Sequence, residues 1–241
     1  DPISKYVSAL RGSRKGRITI EDLLYHQSGL PGSWQFYREA IDDSSYTGTF
    51  YKAKVDPTHR LQVDKRLYVV DGFKYKEEYI SDTRSDEYPL QVAQGMIVSK
   101  SFPQRMLEMI ASDTVPLRDR RYRYSCLNFM LLKEMVEHIT GMPMDEYLER
   151  EFYAPMGMTT RFKAEQIVPT VQKDYLRGRK ELRGYVHDEI AAFMGGVSGN
   201  AGLFSNARDV AKVYQMLADG GIYDGKRYLT QETCRLFMNR K

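Results

Sequence analysis

The sequence is poor in residues that staple or metallate a fold: its 241 residues include two cysteines, Cys126 and Cys234, and four histidines. Two cysteines make no disulfide framework and read as buried free thiols. His187, in His187-Asp188-Glu189, has no second histidine at ligand spacing, so no metal or other cofactor is expected, and the triplet reads as structural. No apolar run approaches a membrane span, no signal peptide is visible, and there is no internal repeat or low-complexity tract. Nor is one charge sign in excess: 36 Lys and Arg against 32 Asp and Glu leave +4, too little to imply nucleic acid. What remains is a globular composition, 42% hydrophobic and 28% charged, long enough to bury a substantial core. The one surplus is eighteen tyrosines, which suit sugar or peptide clefts and also ordinary half-buried positions.

Local signals divide the chain. Thr19 followed by Asp22 reads as a capping box, with Gly29 and Pro31 as stops, so a short helix is expected over residues 19–27. Residues 31–60 are polar and irregular. Asp71-Gly72 between Leu67-Tyr68-Val69-Val70 and Phe73-Lys74-Tyr75 predicts a two-residue hairpin. Pro103 opens a helix through Met106, Leu107 and Ile110. The strongest helix pattern covers 127–140, where Leu127, Leu131, Met135 and Ile139 recur every fourth position before Gly141. Met144 to Phe152 suggests another. Ser205 to Ala218 suggests one more, with Val210, Val213 and Leu217 inward; Asp224-Gly225 makes a turn and Thr230 caps a last helix. The resulting expectation is an α+β fold, mostly helical, with small hairpins.

Two motifs mislead. Gly220 to Lys226 fits a phosphate-binding loop, but Arg227 replaces the Mg²⁺-binding hydroxyl and a helix precedes it. Arg118, Arg120, Arg121 and Arg123, interleaved with Tyr122 and Tyr124, look like a nucleic-acid patch. Asp113 and Asp119 dilute it to a solvated cleft rim, equally able to hold an anionic fragment.

Three segments carry more. Ile18 to Pro31 contains Leu23-Leu24-Tyr25-His26-Gln27-Ser28-Gly29-Leu30-Pro31; Arg123-Tyr124-Ser125-Cys126-Leu127-Asn128-Phe129 leads into the best helix; Gly199-Asn200-Ala201-Gly202-Leu203-Phe204 lies downstream. Together they resemble the serine beta-lactamase-like family, which includes penicillin-binding esterases and D-peptidases. That family uses a Ser-x-x-Lys nucleophile, a Tyr-x-Asn loop and a Lys-Thr-Gly-type strand. Phe152 to Thr160 and Gly202 to Asp209 resemble most closely the domains fused behind family 3 glycoside hydrolases in Bacteroidetes. The resemblance implies a partial beta-lactamase-like fold with a third-motif strand and an incomplete central sheet. It implies a single domain over 1–241 truncated at both ends, with 19–195 mainly the helical region and 196–241 the start of the sheet side.

By the same resemblance Tyr124 is the catalytic tyrosine, its pKa lowered by neighbouring cations. Cys126, where the family has Asn, together with Asn200, Gly202 and Leu203, lines the substrate site, and the Leu203 N–H is the oxyanion donor. By residue type alone Tyr124 is a core-edge tyrosine, Asn200 a turn asparagine, and His26 a packing residue. No serine in the sequence has lysine three positions on, and Thr49-Phe50-Tyr51-Lys52 falls in a polar loop. Two functions remain open. One is a serine hydrolase acting on ester or amide bonds of cell-wall peptides or beta-lactams, inactive alone for want of the nucleophile. The other is a degenerate module that binds peptidoglycan or supports an attached glycosidase. Periplasmic export, a small-molecule or peptidoglycan-peptide partner, and self-association through faces bared by truncation are also expected.

Overall fold

Reciprocal capping starts the first helix. Thr19 Oγ1 accepts the Asp22 N–H at 3.1 Å, while the Asp22 carboxylate accepts the Thr19 N–H at 3.1 Å. In the computed structural model, which describes residues 1–162 and 171–238 except 115, 118 and 175, this box opens α1 (Ile20–Leu24). Arg118 of the basic stretch therefore lies outside the described residues. The helix is shorter than 19–27 because the chain turns at Tyr25 and His26 adopts a left-handed φ of 54°.

Eight short strands follow: β1 (Ile41–Asp42), β2 (Tyr51–Lys52), β3 (Leu61–Asp64), β4 (Leu67–Val69), β5 (Lys74–Tyr75), β6 (Ile80–Ser81), β7 (Leu90–Ala93) and β8 (Met96–Val98). The hairpin expected at Asp71-Gly72 does not form. β4 lies between β2 and β3, whereas β5 pairs with β1, all antiparallel. A type I′ turn needs positive φ at both central residues, and of this pair only Gly72 has it, at 74°. The Asp71 carboxylate instead accepts the backbone N–H of Arg60 at 3.1 Å and also takes its guanidinium. β7 and β8 form a true hairpin across Gln94-Gly95 and share their sheet with β6.

The helices are the longest elements. α2 (Phe102–Ser112) carries Pro103 in its first turn and buries Phe102, Met106, Leu107 and Ile110. α3 (Cys126–Thr140) buries Leu127, Met130 and Leu131 completely and stops at Gly141, with φ 69°. Each such side chain stabilises the fold by roughly 1.5–3 kcal/mol through burial. α4 (Met144–Leu148) runs into a π turn closed by the Ala154 N–H on the Glu149 carbonyl at 2.9 Å. β9 (Val171–Asp174) and β10 (Arg179–Leu182) form one ribbon, followed by α5 (Glu189–Phe193), α6 (Ala207–Ala218), β11 (Ile222–Tyr223), β12 (Lys226–Arg227) and α7 (Gln231–Met238). Here Asp224-Gly225 does make the I′ turn, with φ 49° and 75°.

One large core joins the N-terminal segment, α2, α3, α5 and the small sheets, while Tyr153, Met156, Met158 and Met216 form a second cluster under α6. This is an α+β fold; among the described residues no strand exceeds four residues, and the small sheets before β11 all fall within 19–195. Residues 196–238 hold two helices and one hairpin. No strand forms at Asn200 to Leu203, where the third-motif strand was expected; among the described residues the pairing there is a bridge between Phe204 and Arg161. Val210 is exposed, not inward, because Met216 faces the second cluster. Asp209 fixes α6 instead: burial opposes its charge, yet bonds from the Thr159 N–H (2.7 Å), Thr159 and Thr160 hydroxyls and Asn206 outweigh that and lower its pKa.

Candidate active site

The loop after α1 holds the start of α3. His26 Nδ1 accepts the backbone N–H of Ser125 at 3.2 Å and the Asn128 amide at 2.9 Å. A backbone N–H can only donate, so Nδ1 is unprotonated and the neutral ring carries its proton on Nε2. Burial lowers the His26 pKa, in keeping with that state. The left-handed backbone of His26 lets its carbonyl accept the Arg123 N–H at 2.8 Å as well. Around it, Ser28 Oγ donates to Asn128 Oδ1 at 2.6 Å, Ser125 Oγ to the Pro31 carbonyl at 2.6 Å, and the Cys126 N–H to the Gly32 carbonyl at 2.8 Å. Ser125 and Asn128 are fully buried.

Tyr124 stands on this clamp. Its side chain is exposed, its ring lies 4.8 Å from the His26 ring, and Cys126 Sγ is 3.7 Å from its hydroxyl. The hydrogen bond and charge of Cys126 push the phenol pKa up, and desolvation and the Asp188 carboxylate push it further. The lowered pKa implied by the resemblance is thus reversed, because Cys126, desolvation and then Asp188 all raise it.

Asp188 ties Tyr124 to the downstream motif. It caps α5 by accepting the Ala191 N–H at 2.8 Å and accepts the Asn200 amide at 2.9 Å, both on Oδ1. Asn200 Oδ1 in turn accepts from the Ser198 hydroxyl at 2.7 Å. Gly199 packs on α3 so tightly that a Cβ would lie 2.1 Å from the Phe129 carbonyl. At Gly202, φ is 118° and a Cβ would lie 2.5 Å from the Gly196 carbonyl. The Phe204 N–H bonds the Arg161 carbonyl, but the Leu203 N–H has no partner among the described residues.

The fold therefore sets Cys126 against Tyr124 and Asn200 against Asp188, whose charge reaches Tyr124; Gly202 and Leu203 follow on the Asn200 loop. Sequence reasoning missed the supports of Tyr124. Asn128 and Ser28 are the buried part of the clamp, whereas the half-buried His26 is the hydrogen-bonded packing residue expected of it; Asp188 has a second task beyond capping. Arg177, buried against Asp174 at 2.7 Å, donates to the Val186 and His187 carbonyls at 2.7 and 2.6 Å and so fixes the approach to Asp188. Asp188 ahead of the apolar run Ile190 to Phe193 was a readable N-cap signal; Arg177 had none. In the basic stretch, Arg120 pairs with Asp22 and Arg121 with Asp119. Among the described residues no helix is long and apolar enough to cross a membrane, and no three His, Cys, Asp or Glu side chains are placed to hold a metal ion.

Residues 1–240 match the Beta-lactamase family model, and the chain belongs to that family. It is 35% identical over 261 residues to the protein named "Putative D-alanyl-D-alanine carboxypeptidase" of Escherichia coli (strain K12), covering 98% of this chain and 48% of that one. It is 30% identical over 241 residues to "N-acetylmuramyl-L-alanine amidase" of Bacillus subtilis (strain 168), covering 92% and 43%. The chain thus spans about half the length of the curated relatives it matches. The crystal structure of a "putative beta-lactamase from Bacteroides dorei DSM 17855" shares the fold, with a TM-score of 0.52 at 18% identity over 98% of this chain and 47% of that one.

Proposed function

We propose that this chain supplies the tyrosine and Gly-rich sides of a serine-hydrolase site that cleaves ester or amide bonds of cell-wall peptides, with beta-lactams in the same substrate class. One observation supports the reading: Gly199 packs on the Phe129 carbonyl, so the Gly-rich loop meets α3 close to the helix start that carries Tyr124 and Cys126. Relatives named for D-alanyl-D-alanine carboxypeptidase and muramyl-alanine amidase activity support the substrate class. In this reading a serine outside the present sequence attacks the carbonyl and Tyr124 moves its proton to the leaving group. The Leu203 N–H receives the oxyanion, and Gly202 leaves room for the backbone approach. Cys126, desolvation and Asp188 raise its pKa and keep Tyr124 a phenol at rest, so it becomes a base only when a cation, such as the lysine of a Ser-x-x-Lys segment, is brought beside it. Export to the periplasm and fusion behind a glycoside hydrolase belong to the same proposal.

Intact mass after exposure to a fluorophosphonate or penicillin tests it. The 28.0 kDa chain should gain no adduct. The protein as encoded, with a Ser-x-x-Lys upstream, should gain one, and its Tyr124→Phe variant should lose most turnover. An adduct on the 28.0 kDa chain overturns the assignment. A second reading, a non-catalytic peptidoglycan-binding module, is favoured by Asn200, whose amide is already held by Asp188 and Ser198. An encoded protein without Ser-x-x-Lys would decide for it.

A further inference from the structure

Beside the π turn that follows α4 lies a pocket of about 610 Å³, whose walls include Met142, Asp145, Glu149, Tyr153, Arg161 and Phe162. None of these residues belongs to the surroundings of Tyr124. We propose that this pocket binds a short zwitterionic peptide with apolar side chains, its amino end on the α4 wall and its carboxylate on Arg161. The site does not depend on the hydrolase reading above.

One helix face supplies the acidic wall. Asp145, Glu149 and Tyr153 recur every fourth residue through α4 and the π turn, and all three line the pocket. Neither carboxylate has a side-chain partner among the described residues. The helix dipole favours an acid at Asp145, in the first turn, but not at Glu149, where α4 ends. Tyr153 is an independent sign of a ligand. It is only 7% exposed, its ring packs in the second apolar cluster, and its hydroxyl has no hydrogen-bond partner among the described residues. A buried hydroxyl left unpaired is costly. Nor is it sealed in protein: among the described residues the sealed side-chain atom without a partner is Arg38 Nη1, so the Tyr153 hydroxyl opens on the pocket it lines. Desolvation and then the Glu149 charge push its pKa up to about 12, so it stays a phenol with a proton to donate and a lone pair to accept.

The other wall carries the opposite charge and an apolar floor. Arg161 donates from Nε to the Thr159 carbonyl at 3.2 Å, leaving both Nη groups without a partner among the described residues. Its backbone is fixed by bonds in both directions with Phe204, at 3.0 and 2.8 Å. Arg150, also on the wall, is already paired with Glu151 at 2.7 Å. Phe162 is buried, and with Met142 and Val197 it offers apolar surface. Unpaired groups of both signs disfavour a simple anion or a simple cation. They fit a molecule with an ammonium at one end, a carboxylate at the other and aliphatic groups between. A guanidinium takes a carboxylate through two parallel hydrogen bonds, which is the role left to Arg161. The volume lies within the roughly 300–1,000 Å³ of small-ligand sites, room enough for a dipeptide.

Calorimetric titration of the protein with leucyl-leucine tests this without any need for turnover. We expect saturable binding, weakened about tenfold by N-acetylation or C-amidation of the peptide, and as much by Glu149→Gln or Arg161→Gln. Tyr153→Phe, which keeps the ring, should weaken it as well, and Tyr124→Phe should leave it unaltered. No saturable binding, equal binding of the N-acetylated peptide, or unchanged affinity in a folded Glu149→Gln variant overturns the site. So does loss of binding in Tyr124→Phe, which would put the peptide at the Tyr124 loop instead. The labelling experiment reads a serine adduct, so failure of the hydrolase reading would appear there and leave this result standing.

Discussion

The Asn200 side-chain amide donates to Asp188 Oδ1 at 2.9 Å, on the same oxygen that caps α5. Family members with a cation in place of Asn200 would set that charge against Asp188. We therefore expect Asn200→His in the encoded protein to raise kcat/KM about tenfold, roughly 1.4 kcal/mol of transition-state stabilisation. Steady-state kinetics on an ester substrate checks this, and a decrease would mean that the Asn200–Asp188 bond itself is what the reaction needs.

His26 makes stability depend on pH. Its folded pKa lies below the unfolded value of about 6.5. The contribution is therefore complete above that value and declines as pH falls through it toward the folded pKa. Melting temperature should drop between pH 7 and pH 5, and the drop should shrink in His26→Asn. Identical pH profiles for the two proteins would exclude His26 as the origin.

Asn128 is fully buried and bonds both Ser28 and His26. Asn128→Ala leaves the Ser28 hydroxyl without its acceptor, at a cost of about 1–3 kcal/mol. Chemical denaturation should show that loss, with Tyr124 more accessible to nitration. A change under about 0.5 kcal/mol would place the clamp elsewhere.

Glu189 behaves in the opposite sense to His26. Burial raises its pKa, so its contribution is fully present below the unfolded value of about 4.3 and is lost as pH rises through the folded one. At pH 7 Glu189→Gln should therefore raise the melting temperature by about 2–4 °C. A lower melting temperature would reveal a stabilising partner for the carboxylate.

Val210 and Tyr214 on α6, and Leu236, Phe237 and Met238 on α7, expose large apolar surface. We expect this chain to associate with itself, and Val210→Lys with Tyr214→Lys to reduce that association. Size-exclusion chromatography with light scattering measures it; a compact monomer at all concentrations would count against the idea.

The sequence was most legible where a signal is local. The Thr19–Asp22 box, Pro103 at a helix start and Gly141 at a helix end all stand as read. The two Asp-Gly pairs show the limit of such signals. Asp224-Gly225 takes positive φ at both residues and turns a hairpin; Asp71 is drawn away by Arg60 and β4 finds its partners in β2 and β3. In the site, residue types pointed to Tyr124, Cys126 and Asn200, but not to the raised pKa of Tyr124. The larger part of that rise comes from Cys126, two residues on; the further contribution of Asp188 comes from far along the chain, and no spacing encodes it.

The clamp under Tyr124 has a consequence for assembly. Ser28 to Asn128 spans 100 residues and His26 to Ser125 spans 99. Closing so long a loop carries an entropic cost before any bond is gained, so these contacts belong to the late stage of folding. The Ser125 and Cys126 amides should then exchange with deuterium only when the long-range closure opens. Exchange there would follow the whole fold, and the loop that presents the tyrosine would be as durable as the core beneath it.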